Sequence, residues 1–335
     1  MTAVSEALTA LEEEGRREPG WHVRRVHPAA PCEVLAGLRQ PDGIPGLLLE
    51  VPADQVPPDL ALPRSNGFVV EPALLGGGHA GVVRFSLALT DRSYGAVFTV
   101  LCEDVAEAAA KASTPRAALR NWTGRLHIWQ AFMAKHGSSG LSDAAVTGLV
   151  GELIFLREEL ATRVGLGAAI GMWAGPHGEP NDFALPGGFV EIKATTRQAP
   201  ELVDISNAEQ LDEGRGRILL GHVRLRLDGD GATLPQLAAD IRRRLADEAP
   251  HRIADFDGRL LAAGYLVTHD DLYTRAYRRD RLDLFDVTGT FPRLTRSELR
   301  AGIRTCSYTI ELSACAPFVV GSAVLDSIAE DSAVG

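Results

Sequence analysis

Residues 179–196, EPNDFALPGGFVEIKATT, place two acids and a lysine around one chain reversal. From Gly188 onward, alternation puts Phe189, Glu191 and Lys193 on one face of a strand and Val190, Ile192 and Ala194 on the other. The second set is apolar and predicts the core side. The first carries a charged pair that calls for polar surroundings. Pro186, Gly187 and Gly188 supply the turn chemistry of a hairpin, which returns Asp182 to the side of Glu191. Two carboxylates held that close repel each other unless a cation lies between them or one takes up a proton. A hard divalent ion, Mg2+ or Mn2+, suits such an oxygen-only pair and favours phosphate-bearing substrates. Lys193 is cationic and so no ligand. Its expected place is beside an attacking water or a scissile phosphate, where it offsets charge growing on oxygen.

The preceding segment gives an independent clue. In TGLVGELIFLREEL, residues 147–160, helical spacing places Gly148 and Leu149 behind Glu152 and Phe155 and Leu156 ahead of it. A carboxylate in an apolar stripe needs a partner, either an arginine or the same cation site. Gly148 and Gly151 would let this helix approach the strand closely.

Working outward, a short helix over residues 4–17 precedes segments of strand character between 20 and 101, punctuated by PDGIPG, VPPDLALP and LLGGGHAG. EDVAEAAAKAS reads as a helix closing this mainly β unit, which sets a domain of residues 1–113. AVFTVLC, just before it, has the length of a strand. The second domain, 114–335, opens with a helix capped by Thr114 with Pro115 at its first position, and another starts at Ser142. After the hairpin come a capping box from Ser206 to Glu209, a strand in RILLGHVRLRL, two helices, and strands near RLDLFDV and CSYTIELSA. This order predicts an α/β or α+β domain.

The length of 335 residues and an apolar fraction of 45% provide for a substantial core in one or two domains. The longest apolar runs fall short of the roughly 20 residues of a membrane helix, and the N-terminus lacks the basic start and apolar run of a secretory signal. A cytoplasmic protein that spans no membrane is expected. The four cysteines are scattered and form no C-x-x-C pair, so reduced thiols are the default. A net charge of −10 argues against nonspecific coating of nucleic acid but leaves room for a local basic groove.

The ND at 181–182 followed by VEIK at 190–193 resembles the bipartite signature of the PD-(D/E)XK nuclease superfamily, with Glu152 matching the acid that the preceding helix often contributes. More narrowly, GELIFL, the tryptophan and glycine of MWAGPHGEPNDF, EIKAT and ISNAEQLD resemble the bacterial PD-(D/E)XK motif proteins found beside restriction and phage-defence genes. The resemblance implies a restriction-endonuclease-like core, a central mixed sheet flanked by helices. It also implies Asp182, Glu191 and the carbonyl of Ile192 as ligands of Mg2+ or Mn2+, Lys193 as the catalytic lysine, and Glu152 as outer-shell acid or ligand of a second ion. Gln210, after the catalytic strand, matches a glutamine that related nucleases carry near the phosphate. Asn181 stands where the superfamily pattern has proline, with Pro180 one residue earlier.

The function expected on this basis is metal-dependent hydrolysis of phosphodiester bonds in DNA within a restriction or anti-phage system. The alternative is a non-catalytic or conditionally active subunit that docks on a helicase or methyltransferase. A homo-oligomer is compatible with either. D-x8-E-x-K is a short pattern, and a Glu–Lys pair on an edge strand is its ordinary alternative. Trp122 and Trp129 share a helix face and read as core, and Trp173 as core or cleft lining. The basic runs DIRRRLADE and RAYRRDR read as a solvated helix face and a candidate phosphate contact, respectively.

Overall fold

The computed structural model describes residues 2–136, 139–197 and 201–330. The chain divides into two compact units, 1–140 and 141–335.

In the first, α1 (Ala3–Glu14) leads into β1 (Gly20–Val26), β2 (Glu33–Gln40), β3 (Ile44–Pro52), β4 (Phe68–Leu74) and β5 (Val82–Leu89), followed by α2 (Gly95–Ala110) and α3 (Pro115–His136). The strands form one antiparallel sheet in the order β1-β2-β3-β5-β4. The run AVFTVLC is the first half of α2 and not a strand. Val97, Phe98, Leu101 and Cys102 recur at helical spacing and are all buried, so tertiary packing overrides their β propensity. The expected boundary at 113 also moves. Helix α3 belongs to the first unit, where the Trp122 ring packs at a tilt against Phe85 of β5 and the Trp129 indole donates to Asp104 of α2 at 2.7 Å.

The second unit begins with α4 (Asp143–Phe155), capped by the Ser142 hydroxyl, which accepts from the Ala145 amide. It passes through a π turn at Leu156–Leu160 into α5 (Ala161–Val164), then α6 (Leu166–Met172). There follow β6 (Phe183–Leu185), β7 (Gly188–Thr195), β8 (Leu202–Ile205), β9 (Ile218–Thr233), α7 (Leu234–Glu248), α8 (Ile253–Ala263), β10 (Ala276–Asp286), β11 (Tyr308–Glu311), β12 (Val319–Val320) and α9 (Val324–Ala329). Five strands make a mixed sheet in the order β12-β10-β9-β7-β6; β7 and β9 run parallel and the other neighbours antiparallel. This is the mixed sheet with flanking helices of the restriction-endonuclease-like class.

On one face Val190, Ile192, Leu219, Val223 and Leu284 pack with apolar residues of α4, α6, α7, α8 and α9. On the other, Ile218, Leu220 and Phe285 meet Val203, Ile205 and Ile310 of a small β8–β11 ribbon. Alternation along β7 therefore feeds two cores.

Candidate active site

The hairpin forms as its residues dictate. Phe183 pairs with Val190, Ala184 with Phe189 and Leu185 with Gly188, leaving Pro186–Gly187 as the turn. Gly188 has φ +156°, and a Cβ there would lie 2.5 Å from the Arg217 carbonyl, so a side chain is excluded. One step further in this register brings Asp182 level with Glu191. The Asp182 carboxylate accepts from the amide of Ile192 at 2.7 Å, and the Asp182 carbonyl accepts from the amides of Ala174 and Gly175. A Cβ on Gly175 would stand 2.9 Å from Asp182 Oδ1, so only glycine admits the acid here.

Glu191 and Lys193 share a face of β7, and Lys193 Nζ lies 2.9 Å from Glu191 Oε1. Sequence reasoning expected polar surroundings for this face. Instead Glu191 is 1% exposed, on the face of β7 whose Phe189 packs against the second core. Its Oε2 is buried without a hydrogen-bond partner among the described residues. Glu152 reaches the group from α4. Its partner is not an arginine: the Trp173 indole donates to Glu152 Oε2 at 2.7 Å. Trp173 is at once core and site, fully buried, its ring tilted against Phe256 and its carbonyl accepting from Arg259. Of the two helix glycines, Gly151 permits the approach, since a Cβ there would meet the Ala194 Cβ at 2.4 Å. Gly148 faces open space.

Burial dominates the electrostatics. It holds Glu152 well above the usual carboxylate range, with the Asp182 charge adding to the effect. It pushes Asp182 up to about 6 against the Ile192 amide and the Lys193 ammonium, which pull down. Glu191 rises to about 8 through burial and then the charge of Asp182, with Lys193 opposing. Three carboxyl groups thus converge electrostatically in a setting that disfavours their charge.

No group of three His, Cys, Asp or Glu side chains forms a metal cage among the described residues. The expected set of Asp182, Glu191 and the Ile192 carbonyl does not require one, because Mg2+ keeps several waters and binds through one or two carboxylates. The orphaned Glu191 oxygen, and the Asp182 charge that raises both Glu152 and Glu191, fit a hard cation.

Gln210 lies on a 3-10 turn, Ala208–Leu211, after β8. Its Oε1 accepts from Lys193 Nζ at 3.2 Å, so the structure ties it to the lysine. The expected Ser206 cap is displaced. Asn207 caps the turn, while Ser206 donates through its amide and hydroxyl to Gln210 Oε1. RAYRRDR is not a free basic strip: Arg275, Arg278, Arg279 and Arg281 each pair with Asp or Glu. The arginines of DIRRRLADE are likewise paired.

Sequence reasoning missed His222, which β9 sets level with Lys193. It is 1% exposed, both ring nitrogens lack a hydrogen-bond partner among the described residues, and Asp283 stands 3.9 Å away. No local pattern marks it. Composition does offer a signal for Lys193. The chain has three lysines, Lys111, Lys135 and Lys193, and the last is the sole lysine of residues 141–335.

No curated protein and no solved structure gives a significant match. A family model described as "Putative PD-(D/E)XK family member, (DUF4420)" matches residues 4–313. That match spans both units and includes the hairpin, the helix acid and the lysine, and the chain belongs to this PD-(D/E)XK family.

Proposed function

We propose that this chain is a metal-dependent endonuclease that hydrolyses phosphodiester bonds in DNA, as one component of a restriction or anti-phage defence system. One observation carries the reading: Lys193 stands 2.9 Å from one oxygen of a buried Glu191 whose other oxygen makes no hydrogen bond among the described residues, beside the carboxylate of Asp182 held by the Ile192 amide. Asp182, Glu191 and the Ile192 carbonyl would hold Mg2+ or Mn2+, with Glu152 in the outer shell or on a second ion. Such a cation supplies Lewis acidity to phosphate oxygens and to an attacking water. The chain's own groups do the rest. The Ile192 amide fixes the direction of Asp182, the Trp173 indole fixes Glu152, and the Lys193 ammonium orients the water and offsets charge on the phosphate. The test incubates purified protein with plasmid, single-stranded DNA and RNA, with Mg2+, Mn2+ or chelator, beside Lys193→Ala. DNA cleavage that needs the metal and vanishes in the variant is the expected result. Absence of cleavage under every condition sinks the reading.

The near-complete burial of Glu191 and its ion pair with Lys193 favour a second reading, a conditionally active or scaffold subunit docked on a helicase or methyltransferase. Cleavage that appears only after such a partner is added would support it.

A further inference from the structure

The geometry points to Asn181 and Gln210 as positioning residues for the Lys193 ammonium, acting as one relay; this rests on the nuclease reading. The relay is continuous. Asn181, 2% exposed and next to Asp182 in the chain, donates from Nδ2 to the backbone carbonyl of Gln210 at 2.7 Å. That bond pins the 3-10 turn to the mouth of the hairpin. From the pinned backbone the Gln210 side chain reaches back, and its Oε1 accepts from Lys193 Nζ at 3.2 Å, from the Ser206 amide at 3.0 Å and from the Ser206 hydroxyl at 3.2 Å. An ammonium and an amide both donate and cannot accept, which identifies the shared atom as the amide oxygen. Lysine has four rotatable side-chain bonds, so its nitrogen takes a fixed direction only where neighbours hold it. Glu191 and Gln210 both hold it.

Asn181 occupies the position that the superfamily pattern gives to proline. Proline shapes a turn and has no side-chain donor. At this position the chain instead carries an amide that links the turn before the catalytic hairpin to the segment after it. Gln210 accordingly works through its oxygen on the lysine, whereas a phosphate contact would use its NH2 group.

The test exploits the small number of lysines. In protein labelled with 15N-lysine, three side-chain signals are expected, and Lys193→Arg identifies the relevant one. Hydrogen exchange of that ammonium is compared in wild type, Asn181→Asp, Gln210→Leu and Gln210→Glu. Asn181→Asp keeps shape but loses the donor; Gln210→Glu keeps an acceptor. Steady-state cleavage is measured alongside, with DNA affinity in Ca2+. Exchange should speed up about tenfold in Asn181→Asp and Gln210→Leu and stay slow in Gln210→Glu. In the first two, kcat should fall about 100-fold with KM nearly unchanged, the pattern of a misplaced group and not of lost binding. If folded Asn181→Asp and Gln210→Leu leave exchange and kcat as in wild type, or if Gln210→Leu and Gln210→Glu both raise KM and weaken DNA binding alike, the relay is wrong. Should one variant fail to fold, the other decides. Wild-type protein that never cleaves DNA yet shows the expected exchange pattern overturns the nuclease reading and leaves the relay in place.

Discussion

Lys193 differs from its surroundings in kind. The rest of the second unit uses arginine wherever it needs positive charge, and the guanidinium groups of its basic runs sit in ion pairs. A compact ammonium is a point charge that can share a water's position, which a planar fork cannot. Lys193→Arg should therefore lower cleavage nearly as far as Lys193→Ala, by about 100-fold to 1000-fold, while a melting curve stays within a few degrees of wild type. Plasmid cleavage by Lys193→Arg at near-native rate would remove the lysine from the chemistry.

The acids make a second prediction at this scale. Folding raises Asp182 from 3.8 to about 6 and Glu191 from 4.5 to about 8, so the folded state binds these protons more tightly than the unfolded chain. Their contribution to stability is full below about pH 4 and is lost as pH rises through those values. Chelator-treated protein should melt at progressively lower temperature from about pH 4 to about pH 8. Glu191→Gln, neutral throughout, should flatten the upper part of that fall. Added Mg2+ should raise the melting temperature more at pH 8 than at pH 6, because the acids must be ionised to bind it. A melting temperature independent of pH in this window contradicts the assignment.

Elements meet here through small residues. Helix α4 touches β7 at Gly151, where an added methyl would overlap Ala194, and leaves Gly148 free. Gly151→Ala should cost about 1–3 kcal/mol by overpacking. Gly148→Ala should instead gain up to about 1 kcal/mol from helix propensity. Chemical denaturation of the two variants reads the opposite signs directly, and equal effects would deny the close approach. The same approach carries Glu152 to the hairpin, where the Trp173 donor keeps the half-buried acid from being orphaned.

At the scale of the molecule, each unit has its own buried thiol. Cys102 in α2 and Cys315 in the second unit are fully enclosed, and burial raises both thiols, Cys315 to about 11. Since only the thiolate attacks, both should react with a thiol probe at least about 1000-fold more slowly than in urea-unfolded chain. Peptide mapping across a urea series then follows the opening of each unit through its own cysteine. Rapid native labelling of Cys102 would show that the core around α2 is not closed. The family match covers both units, so the N-terminal sheet is part of the family's common form.

The hairpin, its core face and the acids and lysine it presents were written in residues 179–196, because alternation and Pro-Gly turn chemistry act between neighbours in the chain. The caps at Thr114 and Ser142 were legible for the same reason. Burial on the second face of β7 was not, since it depends on β8 and β11, and the latter lies more than 110 residues downstream. Distance in sequence likewise hid the Trp173 indole as the partner of Glu152, the placing of His222 beside Lys193, and the turn of Gln210 toward the ammonium. AVFTVLC was ambiguous as a string, and only its packing in the first unit made it a helix. Sequence by itself determined which groups are on offer. Tertiary structure decided which of them are desolvated together, and desolvation is what moves their proton affinities and couples them.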